Sequence, residues 1–151
     1  MAISPAKANA TAVVFASAVC PVSDRYVERL NDLYRRFSER GVQFVVVYPN
    51  ANESWRDIET YSKRNGLVYP VYKDDANRLA DRLDARSTPE AFLFDRSGRL
   101  RYRGRIDDAL NPARVRRHSL RDAIDTVLSG GEVSETRTPA IGCAIHRVSL
   151  Q

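Results

Sequence analysis

Cys20-Pro21-Val22-Ser23 stands where an apolar run ends and a helical periodicity begins. Ala12-Val13-Val14-Phe15-Ala16 leads into it, and Tyr26, Leu30, Leu33, Tyr34 and Phe37 follow at helical spacing. A cysteine at such a junction meets the unpaired N–H groups and positive dipole end of a helix. Both favour thiolate over thiol and lower the pKa from about 8.5. The chemistry open to such a sulfur is nucleophilic, directed at a disulfide sulfur or a peroxide oxygen. Pro21, in the first helical turn, gives up no needed hydrogen bond. Ser23 takes the place of the second thiol of a Cys-x-x-Cys pair. Its hydroxyl can hydrogen-bond the Cys20 sulfur, but it cannot resolve a mixed disulfide. The bland alternative for Cys20 is an inert buried thiol.

The second cysteine, Cys143, lies 123 positions away, and two cysteines are too few for a disulfide-stapled scaffold. The 151 residues suffice for one domain with its own core. No apolar run approaches the roughly 20 residues of a membrane span. Met1 to Ala10 carries one lysine and no apolar core, unlike a signal peptide. The expected compartment is therefore the cytoplasm, or the periplasm if an export segment is missing. The net charge is +5, with 21 arginines against Lys7, Lys63 and Lys73. Nine of the arginines fall between Arg96 and Arg121, interleaved with Asp95, Asp107 and Asp108. With no nucleic-acid motif beside it, that stretch reads as a solvated face, and no nucleic-acid partner is expected.

The elements that must position Cys20 follow from periodicity. A strand at about 12–17 and a helix at about 22–39, closed at Gly41, precede the buried strand Val42-Gln43-Phe44-Val45-Val46-Val47-Tyr48. Together they make a βαβ unit with parallel strands. A helix at about 53–65 follows, with Trp55, Ile58 and Tyr61 on its apolar side. Tyr69-Pro70-Val71-Tyr72 reads as a short extended segment, and Asp75 as the cap of a small helix carrying Leu79, Ala80 and Leu83. Ala91-Phe92-Leu93-Phe94 and Leu100-Arg101-Tyr102-Arg103 flank the turn Asp95-Arg96-Ser97-Gly98, a hairpin signal. Ser119 and Asp122, in capping-box spacing, open a last helix that ends at Gly130-Gly131. The fold class is α/β, with a mixed central sheet flanked by helices. Residues 1–11 read as an N-terminal tail, 12–129 as the domain and 130–151 as a C-terminal tail.

This order, with Cys20-Pro21 after the first strand and Thr88-Pro89 before the hairpin, resembles the thioredoxin-like redoxin superfamily over roughly residues 12–129. The resemblance implies a thioredoxin fold, a cis Pro89 packed against Cys20, and a substrate groove formed by Pro21, Thr88 and Pro89. The Thr88 backbone would be left free to pair with a bound peptide or thiol. Ser17 matches the Ser/Thr that peroxiredoxins carry three residues before their cysteine. Val13 replaces their proline, and their activating arginine aligns near Pro89, leaving Arg86 close by. The N-terminal extension usual in that family is missing, which would leave a sheet edge uncovered or open to dimerisation.

The tail Gly142-Cys143-Ala144-Ile145 resembles the Gly-Cys-x-Ile ending of a bacterial redoxin subgroup with Cys-Pro-x-Ser sites. Two readings of Cys143 stay open: it folds back to resolve Cys20, or it is a thiol packed under the tail. Cys143 and His146 with Cys20 would also make a metal-ligand set, but Ser23 breaks the copper-handling motif, and neither metal nor organic cofactor is expected. His118 reads as a surface residue, and Trp55 and the helix tyrosines as core. The implied activity is thiol–disulfide oxidoreduction or peroxide reduction through Cys20, with a disulfide or peroxide substrate and a thiol reductant, in a monomer or homodimer. The competing reading is a non-catalytic thioredoxin-like binding module.

Overall fold

The structure, a computed structural model, describes residues 8–148. Most of the N-terminal tail expected over 1–11 and the last three residues lie outside the described residues. The first strand, β1 (Ala10–Phe15), is buried along its whole length. Its alternate side chains feed two separate cores: Ala12 and Val14 one, Val13 and Phe15 the other. A strand buried on both faces is written as an unbroken apolar run, which is how β1 and β2 (Val42–Tyr48) read.

β1 pairs in parallel with β2, and β2 with the short β3 (Val71–Lys73). On the other side β1 pairs antiparallel with β5 (Glu90–Asp95), which continues antiparallel into β6 (Leu100–Gly104). The sheet order is therefore β3-β2-β1-β5-β6. A separate two-stranded ribbon joins β4 (Ser87–Thr88) to β7 (Cys143–Ala144). No helix among the described residues is long and apolar enough to cross a membrane.

The helix expected at 22–39 is two helices: a single turn, α1 (Pro21–Asp24), and α2 (Val27–Ser38). The break falls at Arg25 and Tyr26, where the Tyr26 hydroxyl donates to Asp107 at 3.0 Å and to the Ala109 carbonyl at 3.2 Å. Leu30, Leu33 and Phe37 of α2 then pack on one face of the sheet, together with Leu120 and Ile124 of α5 (Ser119–Leu128). Helix α3 (Trp55–Asn65) starts at a capping box between Ser54 and Asp57. It buries only Ile58, and Trp55, expected in the core, is 47% exposed.

Two expected caps are displaced. Asp74, rather than Asp75, accepts the Leu79 and Ala80 N–H groups at the start of α4 (Arg78–Leu83). At α5 the N-cap is His118, and the Ser119 hydroxyl instead accepts from Arg105 Nε at 3.0 Å. The arginine-rich stretch is threaded with ion pairs, including Arg101–Asp95, Arg103–Glu90 and Arg105–Glu135.

The C-terminal segment, which shows no periodicity, is held by tertiary contacts. Arg103 of β6 donates its N–H to the Thr136 carbonyl and accepts from the Thr138 N–H. The Thr138 hydroxyl lies 2.6 Å from that of Tyr102 and accepts the Arg105 N–H. A Cβ on Gly104 would run into Thr138, so this approach needs glycine. From there the chain turns to reach β4.

Candidate active site

Parallel strands β1 and β2 bring the loops after their C-terminal ends side by side. The first loop, residues 16–20, ends in Cys20, the N-cap of α1. Cys20 is only 4% exposed. Its sulfur accepts a hydrogen bond from the Ser23 backbone N–H at 3.3 Å, as an N-cap side chain does. The Ser23 hydroxyl, expected on the sulfur, is turned away and accepts the Ser17 N–H at 2.9 Å. With α1 only one turn long, the polarisation at Cys20 comes from that local N–H rather than from the long helix dipole expected.

The second loop supplies a residue that periodicity did not single out. Glu53, 2% exposed, accepts hydrogen bonds from the Ser17 hydroxyl (2.7 Å), the Ala18 N–H (2.6 Å) and the Asn50 amide (2.6 Å). In turn the Ser17 hydroxyl oxygen accepts the Val19 N–H. One carboxylate thus fixes the loop that delivers Cys20. Burial, and secondarily the Glu53 charge, hold the neighbouring Tyr48 phenol well above its ordinary range. The topology held the available signal: a polar residue just past β2 must lie beside the loop past β1.

Thr88 and Pro89 face the same sulfur, and their peptide bond is cis. The Thr88 carbonyl oxygen lies 3.4 Å from Cys20 Sγ, and the Thr88 hydroxyl is buried with no hydrogen-bond partner. Cys20 is joined to Cys143 in a disulfide, with Cα atoms 6.1 Å apart. Cys143 is there because β7 pairs antiparallel with β4, Cys143 opposite Thr88 and Ala144 opposite Ser87. Both cysteines are therefore in one bond, and Cys143 is not a free thiol packed under the tail. Among the described residues no group of three or more His, Cys, Asp or Glu is arranged to hold a metal ion.

The remaining site candidates fall as follows. Pro21 is exposed at the first turn of α1. The Ser17 hydroxyl serves Glu53. The Arg86 guanidinium pairs with Asp84 at the surface, 3.4 Å away, while the Arg86 carbonyl accepts the Ile145 N–H. Arg86 thus contributes main chain to this site.

Residues 3–103 match the AhpC/TSA family. The chain belongs to that family. The family match holds Cys20, Glu53 and the Thr88-Pro89 corner, while the segment bearing Cys143 lies beyond it. This AhpC/TSA chain is 26% identical over 82 residues to the thiol-disulfide oxidoreductase ResA of Geobacillus thermodenitrificans. That match covers 54% of the chain and 46% of ResA, so the chain spans about half the length of its curated relative. Among solved structures it resembles a hypothetical protein of Sinorhizobium meliloti, with 31% identity and a TM-score of 0.85 over 96% of this chain and 83% of that one. It also shares its fold with a thioredoxin-like protein solved in the oxidised form, with 18% identity and a TM-score of 0.67 over 83% and 81% of the two chains. The architecture is the thioredoxin-like one, a mixed central sheet with flanking helices.

Proposed function

We propose that the chain is a thiol–disulfide oxidoreductase that cycles through the Cys20–Cys143 disulfide. The observation that carries this reading is the bond itself: a buried N-cap cysteine closed onto a tail cysteine seated beside it. The likeness to ResA, whose name states that activity, supports it.

In the reduced protein Cys20 is the nucleophile, its thiolate stabilised by the Ser23 N–H. It attacks one sulfur of a substrate disulfide, forms a Cys20 mixed disulfide and expels the other substrate sulfur as thiolate. The Cys143 thiolate then attacks Cys20 Sγ, forms the intramolecular disulfide and releases the second substrate thiolate. An external thiol reductant restores the dithiol. It attacks Cys143, the more exposed of the two cysteines, and Cys20 departs as the better stabilised thiolate. A second reductant thiol then attacks the reductant sulfur of the Cys143 mixed disulfide and frees Cys143 as the reductant disulfide leaves. Pro21, Thr88 and Pro89 border the approach, and Ser17 with Glu53 holds the loop. The peroxide reading is weaker here, because the Ser17 hydroxyl is committed to Glu53 and the Arg86 guanidinium to Asp84.

Cys143→Ser, reduced and mixed with a disulfide-bonded peptide, accumulates a Cys20–peptide mixed disulfide on non-reducing mass spectrometry. Wild type yields free peptide thiol and the internal disulfide. Peptide reduction that survives Cys20→Ser would overturn the reading. A Cys20 alkylation midpoint at or above about 8.5 would instead favour a binding module.

A further inference from the structure

The tail strand occupies the β4 edge beside Cys20 Sγ, where an extended substrate segment would have to pair. A mixed disulfide at Cys20 puts a foreign sulfur on Cys20 Sγ, and in the oxidised protein Cys143 Sγ holds that bond. Cys20 is almost wholly buried, so its sulfur has little other open approach. Tail and substrate therefore compete for the β4 edge. Cys143 attacks Cys20 Sγ from the side opposite the substrate sulfur, which leaves as the tail pairs again.

We propose that residues 139–148 are a strap that leaves the β4 edge on reduction, and that the vacated groove binds an extended protein segment reading Gly-Cys-x-aliphatic around its disulfide cysteine. This rests on the oxidoreductase reading above and specifies its substrate. The strap itself shows what the groove accepts. Among the described residues β4 is paired only with β7, so release leaves main-chain N–H and carbonyl groups open to another antiparallel strand. Gly142 passes so close to the Thr88 carbonyl that a Cβ would collide with it and crowd the Pro89 nitrogen. Two residues past the cysteine, Ile145 is 8% exposed and packs with the core cluster of Val13, Phe15, Val47, Ala85 and Phe92. A peptide lacking an aliphatic residue there leaves that hole unfilled. Ala144 between them is exposed, which leaves the x position free.

The rest of the strap is held by polar contacts that water can replace on release. Thr138, 6% exposed, stays anchored by Tyr102 and Arg105. Beyond it, Asn50 and Asn77 hold the main chain of His146 and Val148, and Arg147 pairs with Asp81 at the surface. Exposed Val19 and Ile141, flanking the two cysteines in sequence, offer apolar surface to a protein rather than to a small thiol.

The test uses full-length Cys143→Ser and synthetic peptides whose cysteine is joined to thionitrobenzoate. Cys20 thiolate attacks the peptide sulfur, and the coloured aryl thiolate leaves. A peptide containing Gly-Cys-Ala-Ile reacts fastest, and Ala for its Gly or Asn for its Ile slows exchange about tenfold each. Adding Gly142→Ala to the protein, which loosens the strap, accelerates all the peptides. A small symmetric aromatic disulfide reports the reactivity of Cys20 alone. Equal rates for all peptides, with the small disulfide still reacting, would overturn the groove and leave the oxidoreductase reading standing. No reaction with either probe would remove the oxidoreductase reading itself. A Cys20–Cys143 bond found between two copies of wild type would give the groove to a second copy and overturn the proposal.

Discussion

Cys20 is carried by a loop whose polar groups are satisfied deep in the molecule, whereas Cys143 is carried by a segment lying mostly on its outside. On the Cys20 side a single buried carboxylate, Glu53, gathers the Ser17 hydroxyl, the Ala18 N–H and the Asn50 amide. Tyr48, Tyr26 and Tyr69 pack in the core beneath. On the Cys143 side a two-residue ribbon, one aliphatic plug and hydrogen bonds with Asn50, Ala51, Asn77, Asp81, Ala85 and Arg86 do the holding. The difference suits two jobs. A nucleophile stabilised by one fixed N–H must not move, while a resolving sulfur has to give way to the substrate and return.

The largest expected effect separates the two regions by pH. Tyr48 and Tyr69 are buried, and burial, then nearby charge and phenols, raise both phenols well above the ordinary 10.0. Tyr26 is pushed up to about 12 by burial and by Asp107. With the folded values raised, the stabilisation is fully present below pH 10.0 and is lost as the pH rises towards the folded values. Each tyrosine still neutral in the fold contributes a slope of up to about 1.4 kcal/mol per pH unit. Urea unfolding at a series of pH values should show a flat region giving way above pH 10. The strap has no tyrosine, so the stability difference between wild type and a strap variant should stay constant across that range. A flat profile through about pH 11 would show that these tyrosines are not held neutral.

Next in size is the loss of the carboxylate. Glu53→Ala leaves two buried donors and one part-buried donor without an acceptor and should cost about 3 kcal/mol in urea unfolding, with Glu53→Gln costing less because one amide oxygen remains. A cost under about 1 kcal/mol would mean that water satisfies the loop and that the Cys20 side is no firmer than the strap.

The contrast was unevenly legible in the sequence. β1 and β2 announce themselves because burial on both faces writes an unbroken apolar run, the β5–β6 hairpin shows through its Asp95-Arg96-Ser97-Gly98 turn, and Cys20-Pro21 with Thr88-Pro89 marks both walls of the site. Glu53 does not, since a glutamate just before the Ser54 cap looks like one more solvated residue until the adjoining loop covers it. The helix break at Tyr26 is equally silent. At the break the Tyr26 hydroxyl bonds Asp107, 81 residues away, while Tyr26, Leu30, Leu33 and Phe37 keep helical spacing through it. The bond expected of the Ser23 hydroxyl is made by the Ser23 backbone N–H. The strap carries no periodic signal, because β7 is two residues long and exists only where β4 receives it.

The smallest effect cuts closest to the comparison. Ile145→Ala removes the plug from the cluster that includes Val13, Phe15 and Phe92. In the oxidised protein the disulfide keeps the strap in place, so the cavity has to be accepted, and stability should fall by about 2 kcal/mol. After reduction the strap has an alternative. It can peel off while the rest of the fold stays intact, so the same substitution can cost no more than the strap gained by docking, which we expect to be below about 1 kcal/mol. Urea unfolding of wild type and Ile145→Ala, each oxidised and reduced, gives the two differences directly. If they are equal, the strap is as firmly part of the fold as the loop that carries Cys20, and a substrate would have to reach the buried sulfur without displacing it.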